Sequence, residues 1–203
     1  MGETCYGQRS AGPCQGFLVL GGTPICARCG LGWTPICGHL CILKLRLSRL
    51  ILAVRSQAKG QAAAEELKKE FPIADIQISL VDLADYDSIT AFADRCRLLE
   101  QIDYVILNAG LQSSTFRRNE NTGHESVFQT NFLSTVFLLL LLVSMIKEKN
   151  RQRLTDQQPV ITVVGSDTMY FSKFAVVDPI FSRLDDPKRF VKFQQYMDSK
   201  LLV

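Results

Sequence analysis

Tyr196-Met197-Asp198-Ser199-Lys200 sets a phenol and an ammonium four residues apart. Residues 190–203 contain no Gly or Pro, and Phe190, Phe193, Met197 and Leu201 recur at steps of three and four, which predicts a helix. Positions i and i+4 share a helix face, so Tyr196 and Lys200 are expected to face the same space. A free phenol, with a pKa of about 10, transfers protons poorly at neutral pH. A fixed cation beside it favours the phenolate. The pair suits general acid/base work on a carbonyl/alcohol interconversion, although the same spacing also describes an ordinary surface pair.

The elements that must position this pair come from the rest of the chain. At 203 residues, 47% of them apolar, one domain with a buried core is expected. Seven of the 23 Lys and Arg lie in residues 1–60 against a single acid, Glu3, and the remainder is mildly acidic. No Lys/Arg cluster is interleaved with aromatics, so a nucleic-acid surface is not expected. No basic n-region precedes an apolar h-region at the N-terminus. The apolar run Phe132–Ile146 is shorter than the ~18–20 residues that span a bilayer, which predicts a buried helix, no transmembrane segment and a cytoplasmic protein.

Residues 1–41 form a Gly-, Cys- and Pro-rich leader, and residues 42–203 a regular domain. In the leader, Phe17–Leu20 followed by Gly21-Gly22 reads as a strand entering a glycine turn. Cys26, Cys29, Cys37 and Cys41, with His39 between them, have a spacing zinc could use, but the pairs sit close and Pro35 constrains the loop. No metal is expected there, and free thiols are. Beyond the leader, strands are expected at Leu50–Val54, Ile76–Val81, Tyr104–Leu107 and Val160–Val164. Helices are expected over Lys59–Glu70, Asp85–Leu99, Gly123–Lys149 and Phe190–Val203. Cys96 falls on the apolar side of the second helix, as a core residue. Alternating strands and helices predict an α/β fold, a doubly wound parallel sheet with ligands beyond the carboxyl ends of the strands. Arg55, Asp82, Asn108 and Ser166 all stand where strands end.

From about Leu50 to Val203 the chain resembles a short-chain dehydrogenase/reductase. The resemblance rests on Asp82-Leu83, on Leu107-Asn108-Ala109-Gly110, on Asn131, on Gly165-Ser166 and on Tyr196-x-x-x-Lys200, in the family's order. Leu52-Ala53-Val54-Arg55-Ser56 and the long gap between Ser166 and Tyr196 are similar to retinol-dehydrogenase-like reductases and their fungal relatives. The resemblance implies a Rossmann-like domain and an NADP-dependent oxidoreductase, with NAD as the alternative. It would interconvert a ketone and a secondary alcohol, and the likeness to fungal relatives implies a place in fungal secondary metabolism. By the same resemblance Tyr196 would be the acid/base, with Lys200 tuning it and holding the nicotinamide ribose. Ser166 would bond the substrate oxygen, and Asn131 would hold a water of a proton relay. Asp82 and Leu83 would meet the adenine, Asn108, Ala109 and Gly110 would line the adenosine side, and Arg55 would pair with a 2′-phosphate.

The sequence departs from the family pattern at both ends. The family's Gly-x-x-x-Gly-x-Gly turn brings backbone N–H groups to the pyrophosphate. Gly22, Gly30 and Gly32 resemble it, but eight residues separate Gly22 from Gly30 where four are expected. That spacing predicts an altered reading frame or splicing and weak cofactor binding. The chain stops three residues after Lys200, so a sheet incomplete on its C-terminal side is expected. A second reading follows: a catalytically inactive fragment that acts by pairing with a full-length relative. The 123–149 helix, apolar nearly all round, is the expected surface of a homo- or heterodimer.

Overall fold

The computed structural model describes residues 17–20, 49–151, 158–175 and 179–203. Five strands form one parallel sheet: β1 (Phe17–Leu20), β2 (Arg49–Val54), β3 (Asp75–Leu80), β4 (Tyr104–Leu107) and β5 (Val160–Val163), in the order β3-β2-β1-β4-β5. The register pairs Phe17 with both Leu50 and Tyr104, and Tyr104 with Val160. The chain order reverses between β1 and β4, the switch point at which ligands bind in open α/β sheets.

Alternation along the strands explains why both faces are covered. In β2, Ile51 and Ala53 join one apolar cluster, and Leu50 and Leu52 join the other. On the second face lies α1 (Gln57–Glu70), which buries Ala64 and Leu67; Ser56 caps it by accepting from Lys59 N–H. On the first face lie α2 (Tyr86–Arg97) and α3 (Ser126–Arg151), which contribute Ile89, Phe92, Leu138, Leu142 and Met145. Cys96 belongs to this core, 2% exposed, and burial pushes its thiol pKa up to about 12. It is a packing residue with negligible thiolate character.

Three of the sequence expectations are corrected. The helix carrying the apolar run is 26 residues, long and apolar enough by length and composition to cross a membrane. Its character as a core helix therefore rests on packing: Leu138 and Leu142 are buried against the sheet, whereas Leu140 is 62% exposed. It is also not a uniform α-helix, because Gln129–Leu133 forms a π-turn. Finally, the last helix, α5 (Gln194–Leu202), begins four residues later than the periodicity suggests. Its buried residues are Gln195, Asp198, Ser199 and Lys200, while Phe193 and Leu201 are about half exposed. Phe193 and Leu201 of the apolar stripe are exposed and Met197 is only partly buried, while the polar residues lie inside, so the periodicity located the helix but not its buried face.

Between β5 and α5 lie a 3-10 turn (Asp167–Phe171), the short helix α4 (Ile180–Leu184) and a second 3-10 turn (Pro187–Arg189). The expected boundary at residues 41/42, the glycines Gly22, Gly30 and Gly32, and the Cys26, Cys29, Cys37 and Cys41 group all lie outside the described residues.

Candidate active site

A cleft of about 1020 Å³ opens along the carboxyl ends of the strands. It is lined by Arg55, Ser56 and Lys59 after β2, by Asp82, Leu83 and Ala84 after β3, and by Ala109 and Gly110 after β4. The walls therefore come from consecutive crossover loops, as the doubly wound topology requires.

Asp82 is half-buried. Its Oδ1 accepts from Ala84 N–H at 2.9 Å, and its own N–H donates to Ser88 Oγ at 2.9 Å. This turn holds the carboxylate at the cleft wall. Leu83 is buried beneath it, and its carbonyl accepts from Ser134 Oγ of α3. Arg55 is exposed on the cleft rim and makes no ion pair among the described residues. Asn108 is half-buried directly after β4.

Gly110 on the cleft wall lies against Lys200 of α5, whereas Asn131, Ser166, Tyr196 and Lys200 do not themselves line the cleft. A β-carbon placed on Gly110 would lie 3.6 Å from Asn131 Oδ1 and 3.7 Å from Lys200 Nζ. Three residues that the sequence singles out, from three separate elements, thus converge on one point. Lys200 is 5% exposed, and its Nζ donates to Val164 O at 2.9 Å, just past β5. Burial pulls its pKa below the ordinary lysine value. Asn131 lies in the π-turn and is 1% exposed. Its Oδ1 accepts from Leu111 N–H at 2.6 Å, and its Nδ2 donates to Leu111 O and Ser199 Oγ, each at 2.9 Å. Both amide protons are committed, so this side chain ties the loop after Gly110 to α5.

Tyr196 is half-buried one turn before Lys200, and its carbonyl accepts from Ser199 Oγ at 2.7 Å. Ser166 caps the 3-10 turn: its Oγ accepts from Thr168 N–H at 3.3 Å and lies 2.8 Å from Thr168 Oγ1. No hydrogen bond joins Ser166 to Tyr196 among the described residues. The 3-10 turn nevertheless packs on α5, and Ser172 Oγ donates to Asp198 Oδ1 at 2.6 Å. Ser199 and Asp198 are structural partners of the site that spacing arguments missed. Their signal was present as polar residues on the Tyr196–Lys200 helix, but it was unreadable without knowing which face is buried.

The family model for short chain dehydrogenase matches residues 43–166. The chain is 44% identical over 161 residues to the short chain dehydrogenase virL of Hypocrea virens, covering 79% of this chain and 47% of that protein. It is 39% identical over 165 residues to the short chain dehydrogenase/reductase mfmJ of Annulohypoxylon moriforme, covering 80% and 47%. The chain spans about half the length of these curated relatives. In fold it is similar to a Sphingobium yanoikuyae short-chain dehydrogenase in complex with NADPH, with a TM-score of 0.62, 18% identity and coverage of 93% and 61%. It is also similar to the bulky-bulky ketone specific alcohol dehydrogenase of Comamonas testosteroni, with a TM-score of 0.63, 15% identity and coverage of 95% and 64%.

Proposed function

The chain belongs to the short chain dehydrogenase family, and from that premise we propose that it is an NADP-dependent oxidoreductase interconverting a ketone and a secondary alcohol. The observation that carries this reading is the convergence of Asn131 and Lys200 on Gly110, which lines a cleft of about 1020 Å³. The residues present fit such a cofactor. Gly110 leaves open the space beside Lys200, Asp82 offers a carboxylate oxygen to an amino group, and Arg55, Ser56 and Lys59 form a phosphate-sized polar rim. NADP is preferred to NAD because Arg55 follows β2 without a carboxylate partner among the described residues. The fungal relatives support a role in fungal secondary metabolism.

The cofactor would supply the hydride. This chain's residues would supply position and the proton. In the reducing direction Tyr196 gives its hydroxyl proton to the substrate oxygen, and in the oxidising direction it takes that proton back. Lys200 Nζ donates to Val164 O, and its remaining N–H groups would donate to a ribose hydroxyl or the phenol. Ser166 hydrogen-bonds the substrate oxygen once its hydroxyl turns from Thr168. Asn131 acts through structure, by fixing the loop after Gly110 against α5. The test is NADPH consumption by the purified protein with a panel of lipophilic ketones. Turnover that disappears in Tyr196→Phe supports the reading, and no turnover with any ketone or alcohol counts against it.

The exposed Leu140 on α3, Leu201 on α5 and Val160 on the edge strand β5 favour a second reading. In it, the chain associates through α3 with a second copy or with a longer relative.

A further inference from the structure

One carboxylate fastens the stretch that precedes α5 to the remainder of the molecule. Asp185, at the end of α4, accepts from Glu125 N–H through Oδ1 at 2.7 Å, and its Oδ2 lies 2.7 Å from His124 Nδ1. Its carbonyl accepts from Arg118 Nη2 at 2.7 Å. These three partners are 60, 61 and 67 residues away in sequence. Arg118 is itself tied back by a hydrogen bond to Gly123 O and by a bridge between residues 118 and 125. Apolar contacts reinforce the junction: the Phe181 ring lies 6.2 Å from His124 and 5.8 Å from Phe128, centroid to centroid.

The far side of this junction is α5. Leu184 O, next to Asp185, accepts from Gln195 Nε2 at 3.1 Å, and Gln195 directly precedes Tyr196. Gln195 also lies beside the Glu125 carboxyl. Glu125 is fully buried; its Oε2 caps α3 by accepting from Val127 and Phe128 N–H at 2.9 Å, and its Oε1 has no hydrogen-bond partner among the described residues. Between the two ends of the junction, Phe193 has φ of 65°, a left-handed conformation that a bulky residue adopts only when its surroundings impose it.

We infer that Asp185 is a positioning residue: by latching α4 to His124 and Glu125 at the start of α3, it fixes where α5 begins and therefore how Tyr196 meets the Gly110 end of the cleft. The catalytic half of this inference rests on the acid/base role proposed for Tyr196, and the latch itself does not. The contacts proposed for Arg55 and Asp82 lie on other loops, so loosening the latch acts first on α5, on the proton-transfer group and on the ribose contact of Lys200, and leaves the adenosine end of the nucleotide site in place.

Hydrogen exchange and steady-state kinetics on Asp185→Ala and Asp185→Asn test this. In Asp185→Ala, amide exchange across residues 180–195 is expected to accelerate about tenfold or more, with β2 and β4 amides unchanged. Its kcat is expected to fall about tenfold or more, with a smaller rise in NADPH Kd from the displaced Lys200. Asp185→Asn keeps an acceptor for Glu125 N–H and should recover part of both, which also covers the case in which the alanine variant fails to fold. Unchanged exchange at 180–195 in both variants would overturn the latch. Faster exchange with unaltered kcat would overturn the positioning role. A wild-type protein without turnover would refute the proposed function and leave the exchange result to decide the latch.

Discussion

Asn131 Nδ2 and Ser199 Oγ, 68 residues apart in sequence, are joined at 2.9 Å. Ser199 Oγ in turn donates to Tyr196 O at 2.7 Å. The π-turn of the long core helix is thereby stitched to the helix that carries Tyr196 and Lys200. A rigid core element sets the height and rotation of the groups proposed to do the chemistry, as a preorganised site requires.

Removing the phenolic hydroxyl should abolish proton transfer and little else. Tyr196→Phe is expected to lower kcat by about 10²–10⁴-fold, with NADPH affinity within about twofold because the ring remains. NADPH oxidation with a responsive ketone, followed by fluorescence titration of NADPH, checks both. A variant retaining most of its activity would remove Tyr196 from the acid/base role.

Arg55 should distinguish the two nicotinamide cofactors. A charge-assisted contact to a 2′-phosphate contributes about 1.5–3 kcal/mol, so Arg55→Ala should weaken NADPH binding about 10–100-fold and leave NADH unaltered. Equal losses for both cofactors in calorimetry would assign Arg55 a structural role.

Glu125 should make stability depend on pH. Burial pushes its pKa above the ordinary value of 4.5. The folded state thus holds a proton that the unfolded state has released, at every pH between 4.5 and the raised value. Stability from this group is fully present below 4.5 and is lost as the pH rises through the folded pKa. Glu125→Gln does not titrate at this position. The stability of wild type relative to Glu125→Gln should therefore fall as the pH rises from 4.5 through the raised folded-state pKa in urea unfolding. A difference independent of pH would show that the carboxyl titrates normally.

Gly60 in α1 should resist even a methyl group. A β-carbon there would sit 2.8 Å from Val54 Cγ2 and 3.1 Å from Ile78 Cγ2. Both neighbours are β-branched and stiff at χ1. Alanine gains about 1 kcal/mol in helix propensity, whereas overpacking costs about 1–3 kcal/mol. Gly60→Ala is expected to be neutral to destabilising, and a clear rise in Tm would mean that α1 stands further from the sheet.

The outward side of α3 should govern association. Leu140 is 62% exposed in the middle of that helix, and burying one leucine is worth about 1.5–3 kcal/mol. Leu140→Glu is expected to shift sedimentation at micromolar concentration toward monomer. A wild-type chain that already sediments as a sharp monomer would exclude the α3 interface.

The sequence by itself determined the α/β class with its parallel sheet, the strand ends to within about a residue, and the placement of Arg55 and Asp82 beside those ends. It could do so because strand alternation and helix periodicity are local, and because the crossover rule sends strand ends to one edge. Which face of α5 is buried was decided only in three dimensions. Its apolar residues obey the helical period, yet Lys200 and Ser199 lie inside because Val164 O and Asn131 satisfy them there. The junction at Asp185 was likewise invisible. A carboxylate whose partners lie 60 residues upstream leaves no pattern in its neighbours, and only the folded chain brings His124 and Glu125 to it. Periodicity reports what a residue's own segment does, whereas the pairing of buried polar groups depends on which segments meet.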